Sequence, residues 1–232
     1  MFVTASNFDI PPYNIPGLDK VSDTFTDFVT KIERKYLLEV LGSNLYNAFV
    51  SGLNSLPAEY DPTIATVIST QYVYGNDIWE ALTISTGATP VEGVDWTLIE
   101  ANRWLLLKNG NTYLMGDKYY SWVGITEALV PLIYSKWIEY TVIALTGNGF
   151  AVPITENNIV YSPSEFICSS WNDWSRQIGN SCSQHDTLYG YLFNVNFADG
   201  TFDDTFDITF QDFNQYLSFS FTSQGYKNVF GL

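Results

Sequence analysis

The chain has 232 residues, 46% of them hydrophobic and 17% aromatic, which is enough to bury about 70% of the unfolded surface and excludes disorder as a description of the whole. Lys and Arg number 10 against 25 Asp and Glu, a formal net charge of -15. Such a balance repels phosphate and anionic lipid, so binding to nucleic acid or to a membrane surface through a basic face is not expected. Met1 to Pro11 has neither a basic region nor an apolar core, so no secretory signal is expected. The most apolar stretch, Val123 to Gly147, carries Glu127, Lys136 and Glu139, so no transmembrane helix is expected.

The expected fold is mainly α: a helical bundle with a small β-hairpin element near the C-terminus and extended terminal arms. Residues 1–20 contain Pro11, Pro12 and Pro16 among apolar side chains and read as an extended arm without a helix. Residues 21–196 form the expected helical domain. Its first helix starts at Ser22, runs with Phe25, Phe28, Ile32 and Tyr36 along one stripe, and breaks at Gly42; Ser43 opens a second piece closed by Gly52. Asp61-Pro62 is an N-cap followed by proline at the first helical position, and Ile64, Ile68, Tyr72 and Trp79 suggest a helix weakened by β-branched residues and Gly75. Asp95 is expected to open another helix, through Trp96, Ile99 and Trp104, stopped by Asn109-Gly110. Asn111 to Trp122 reads as a loop or short hairpin.

Gly124 to Thr146 is apolar on most of its circumference and is the expected central helix, with Pro131 kinking it or marking its first turn. Ser162-Pro163-Ser164-Glu165 is a capping box, and the stripe Ile167, Trp171, Trp174, Ile178, Cys182, His185, Tyr189 and Leu192 predicts one long helix after it. In residues 197–222, Phe206, Ile208 and Phe210 alternate with polar residues, as do Leu217, Phe219 and Phe221, so an acidic β-like insertion is expected there. Residues 223–232 form a C-terminal tail.

Catalytic and metal motifs are sparse. Cys168, Cys182 and His185 do not make the paired clusters that zinc requires, and the helical stripe gives Cys182 and His185 a packing role. The group Asp199-Gly200, Asp203-Asp204 and Asp207 fails the alternate spacing of an EF-hand and reads as a solvated acidic loop. Gly110-Asn111-Thr112 lacks the lysine and glycine spacing of a phosphate loop, and no nucleophile elbow surrounds any serine. No enzyme activity, cofactor or metal is expected. The alternative from another class is a carbohydrate-binding or glycoside-hydrolysing protein, which would pair two of the many carboxylates with a Trp and Tyr stacking surface.

Several runs carry a family resemblance. Arg34-Lys35-Tyr36-Leu37-Leu38 through Leu41-Gly42 to Leu45-Tyr46, then Arg103-Trp104 to Gly110 and Tyr113, Trp122-Val123-Gly124, Leu129-Val130 to Ile133-Tyr134, Thr146-Gly147 and the ending Asn228-Val229-Phe230-Gly231-Leu232 resemble the head-to-tail connector proteins of tailed bacteriophages, in the version found in phages of Bacteroidetes hosts. The resemblance implies a non-enzymatic virion protein, an adaptor at the head-to-tail interface that assembles in twelve copies under the portal and extends the DNA channel. The implied partners are the portal protein, tail or neck ring proteins and copies of itself, with the genome passing unbound and no membrane involved. It also implies a portal-docking C-terminal extension, here Tyr226, Asn228, Phe230 and Leu232; in the N-terminal arm, Phe8, Ile10, Tyr13 and Ile15 either pack on their own domain, the plainer reading, or bridge to a neighbour. Two segments depart from the family pattern, Pro57 to Val94 and Phe197 to Phe221.

Overall fold

A computed structural model of the chain describes residues 2–15, 23–115, 117–145, 163–179 and 186–195. The expected helical bundle is corrected by it: of the described residues 52% are helical and 16% lie in strands, arranged as two small antiparallel sheets, so the fold is mixed. These strands occupy 71–122, the middle of the segment read as a bundle. The expected hairpin at 197–222 and the tail at 223–232 lie outside the described residues.

The helix α1 spans Asp23–Asn54 and is broken where expected, at Gly42, whose φ of 72° is not helical. Its buried face is Phe25, Val29, Glu33, Tyr36, Leu37, Val40 and Leu41, then Leu45 and Phe49. Phe28 and Ile32, expected on that face, are only half-buried beside it, and a carboxylate, Glu33, takes a core position instead.

Between α1 and the next helix lies a β insert. Strands β1 (Gln71–Tyr74), β2 (Asp77–Ala81) and β3 (Trp96–Ala101) form an antiparallel sheet in that order. The helices expected from Asp61 and Asp95 are therefore corrected. Tyr74 pairs with Asp77 across the Gly75-Asn76 turn, a two-residue connection suited to a hairpin. Trp79, Ala81 and Trp96 then form a small core with Tyr60 and Tyr72 packed against it. A register shift at Ile78/Trp79 buries both of these neighbours, breaking the alternation that marks a strand in sequence. The segment before β1 lies along its outer side, where the Tyr60 N–H donates to the Val73 carbonyl at 2.8 Å.

Helix α2 spans Arg103–Asn109. Its N-cap is Asn102, whose Oδ1 accepts from the N–H groups of Trp104 and Leu105 at 3.0 and 3.3 Å, so the helix starts later than Asp95. The hairpin at Asn111 to Trp122 is present as β4 (Asn111–Met115) and β5 (Lys118–Trp122). Helix α3 (Ile125–Leu145) is the central helix, with Pro131 inside it and Ala128, Leu129, Val130, Leu132 and Ile133 all buried. Helix α4 (Pro163–Ile178) starts at the expected proline and packs along α3. It ends at Ile178, and a separate helix α5 (Leu188–Val195) follows, which corrects the single long helix; Cys182 and His185 lie outside the described residues.

The main core joins all these helices through aromatic contacts. Phe25 meets Phe8 and Trp137 edge-on, at 5.4 and 4.9 Å between centroids, and Tyr191 of α5 meets Tyr113 and Trp122 of the second sheet. Trp122 donates its indole N–H to the Leu107 carbonyl at 3.1 Å, so its burial leaves no polar atom unpaired.

The insert leaves and rejoins the helical body where α1 crosses α2. There a Cβ on Gly52 would lie 2.1 Å from the Trp104 indole nitrogen, so only glycine permits the approach. Glycine to alanine within a helix ordinarily stabilises by up to about 1 kcal/mol. Gly52→Ala should reverse that sign and cost about 2 kcal/mol, because the buried indole must shift. Urea unfolding checks this, with Gly93→Ala, in open space, as the near-neutral control.

Candidate functional site

The N-terminal segment is built onto the body by Glu33. This carboxylate is 3% exposed and accepts the backbone N–H of Phe2 through both oxygens, at 3.0 and 3.1 Å, and that of Val3 at 2.6 Å. Burial pushes its pKa above the ordinary 4.5, and the two amides oppose that shift only in part. Residues 5–8 form a 3-10 turn, in which the Thr4 N–H donates to Asn7 Oδ1 at 2.8 Å, and the Ile15 N–H returns to the Phe8 carbonyl at 3.0 Å. The extended arm without a helix is thus corrected to a folded-back segment, held by the Glu33 carboxylate and its own turn, with Val3, Phe8 and Ile15 in the body's main core.

Of the four candidates there, Phe8 and Ile15 are buried in the main core. Tyr13 is half-buried, with its ring edge against Tyr134 and its hydroxyl donated to Asp173, which also pairs with Arg176. Burial and the Asp173 carboxylate together push the Tyr13 pKa up, so the hydroxyl stays protonated. Ile10, at 72% exposed, is the one of the four whose side chain faces outward. Tyr226, Asn228, Phe230 and Leu232 lie outside the described residues.

A cavity of about 310 Å³ opens between α1 and α2. Phe2, Tyr46, Val50, Leu53, Leu56 and Leu105 give it an apolar lining, and Arg34 and Lys108 stand at it beside Glu33. Arg34 is exposed, one turn from exposed Lys31 and next to exposed Lys35, so this wall of α1 is a cationic patch in an anionic chain. The second unusual surface is the β insert. Residues 56–101 hold seven acidic side chains, from Glu59 to Glu100, and no lysine or arginine. The insert also exposes Ile64, Val67, Ile68, Ile84, Val91 and Val94, the last at 84%. Neither surface was singled out by motif: the cavity joins residues from three chain segments, and the insert resembled a helix in sequence.

No group of His, Cys, Asp and Glu able to hold a metal occurs among the described residues. Cys168 is a half-buried cysteine on α4, outside any disulfide. All seven tryptophans are buried, which removes the indole part of the stacking surface a glycan would use. No helix of the described residues is long and apolar enough to cross a membrane. Comparison of the chain with family models, with curated proteins and with solved structures finds no match.

Two expectations follow for Glu33. Its raised pKa means the folded state binds its proton more tightly than the unfolded state, so this contribution to stability is full below 4.5 and lost as pH rises through the folded-state value. The stability difference between the wild type and Glu33→Gln should therefore change across that window and be flat above it, as read from urea midpoints at a series of pH values. Glu33→Ala leaves the Phe2 and Val3 amides unpaired and should cost about 1–3 kcal/mol, with early loss of hydrogen-exchange protection at residues 2–15.

Proposed function

We propose that the chain is a non-enzymatic connector subunit: an adaptor that joins a phage portal to the tail, works as a ring of copies and extends the channel for DNA. The observation that carries this reading is the β insert, an acidic surface studded with exposed aliphatic side chains on a chain whose main core is well packed. Contiguous apolar surface of this kind marks contact with other proteins. The buried ionisable groups fit the same reading, because Glu33 and Tyr13 hold the N-terminal segment down and leave no reacting pair between them. The excess of carboxylates suits a wall past which a polyanion must slide, since it offers phosphate no partner within the roughly 8 Å over which charge acts at physiological salt.

The purified protein should be monomeric or weakly associated alone and form rings when mixed with a portal protein. Size-exclusion chromatography with light scattering, before and after mixing with portal, reads this; absence of co-migration at every salt concentration would overturn the proposal.

A further inference from the structure

We infer that successive copies meet head to tail, the β insert of one seated on the α1/α2 cavity of the next. The inference deepens the connector reading and rests on it, since a closed ring needs a surface of each copy to fit a different surface of its neighbour. Four observations carry it. The insert has acids and exposed aliphatics but no cation, whereas the cavity has an apolar lining with Arg34 and Lys108 at it. Neither Arg34 nor Lys108 forms an ion pair among the described residues. The exposed aliphatics lie together: the Thr66 N–H donates to the Ser85 carbonyl at 2.9 Å, that of Ser69 to Ala81 at 2.8 Å and that of Leu82 to Asp95 at 2.8 Å, which draws 64–69, 82–85 and 94–95 side by side.

The fourth observation says why the occupant is another copy. The insert is tied to its own body at the Gly75-Asn76 turn: Asn76 accepts the Asn102 N–H at 2.8 Å through its carbonyl, donates Nδ2 to the Gly110 carbonyl at 3.2 Å, and accepts from Asn109 at 2.9 Å. Held there, it does not swing into the cavity of its own chain. Two inserts facing each other would set exposed acids such as Glu59, Asp61 and Glu92 against their own copies with no cation between them, so a symmetric contact is repelled and the cationic wall of α1 is the face open to it.

The test places a photocrosslinking residue, Val94→p-benzoylphenylalanine, in a mixture of isotope-labelled and unlabelled full-length chains, at high concentration and low salt, with and without portal. Intermolecular crosslinks should land on Val50, Leu53, Leu56 or Leu105. Arg34→Glu with Lys108→Glu should weaken self-association about tenfold or more and flatten its salt dependence, and Glu59→Lys with Glu92→Lys on the partner copy should restore it in part. Crosslinks between two inserts, crosslinks to another face, or none at all would overturn the interface. Rings on portal with crosslinks elsewhere would sink the interface and leave the connector reading standing; crosslinks in the cavity without portal co-migration would do the reverse.

Discussion

The close approach of α1 to α2 at Gly52 and Trp104 is the constraint on which the arrangement depends. A Cβ there would overlap the indole, so the absence of a side chain at one position lets two helices touch and brings the two ends of the β insert together. Phe49 packs on the same indole at 6.1 Å between centroids, which ties the junction to the main core. Because the insert leaves after Asn54 and returns at Asn102, this single contact sets where the sheet stands. It also sets the gap between the helices, and the cavity is that gap.

Charge is distributed as unevenly as hydrophobicity. Between Lys35 and Arg103 the chain has no cation, and the described lysines and arginines sit on the helical body and the second hairpin. On the body some are used locally: Lys136 pairs with Glu139 at 2.7 Å and stands 5.0 Å from the Trp171 ring centre, and Arg103 lies over Trp104. Arg34 and Lys108 are placed at the cavity instead. An anionic chain that must approach its own copies gains from such segregation, because surface charge acts over only a Debye length and the local pattern outweighs the net total.

The helices were legible where their signals are local. The glycine break at 42, the proline start of α4, the apolar circumference of α3 and the hairpin before it all depend on residues within a few positions of one another. The β insert was not legible as such, because Ile64, Ile68 and Tyr72 fall at helical spacing, and the bulge at Ile78/Trp79 breaks the alternation that would have marked a strand after the Gly75-Asn76 turn. That the N-terminal segment packs on its own domain is borne out, but the way it folds back was not legible, for a different reason. Its prolines do exclude an α-helix, but the partner that folds it back, Glu33, is some thirty residues away and would ordinarily be placed on a solvated face.

From its own sequence this protein owed its capacity to fold, its anionic character, the position of most helices and the lack of a recognised catalytic motif, since these follow from composition and from contacts between near neighbours. Its tertiary structure decided that the class is mixed, that all the tryptophans turn inward, that a carboxylate is spent on backbone amides, and that a cationic cavity and an acidic sheet lie on different parts of one molecule. Those outcomes depend on which distant segments can share space, a matter settled by packing and charge between residues far apart in the chain.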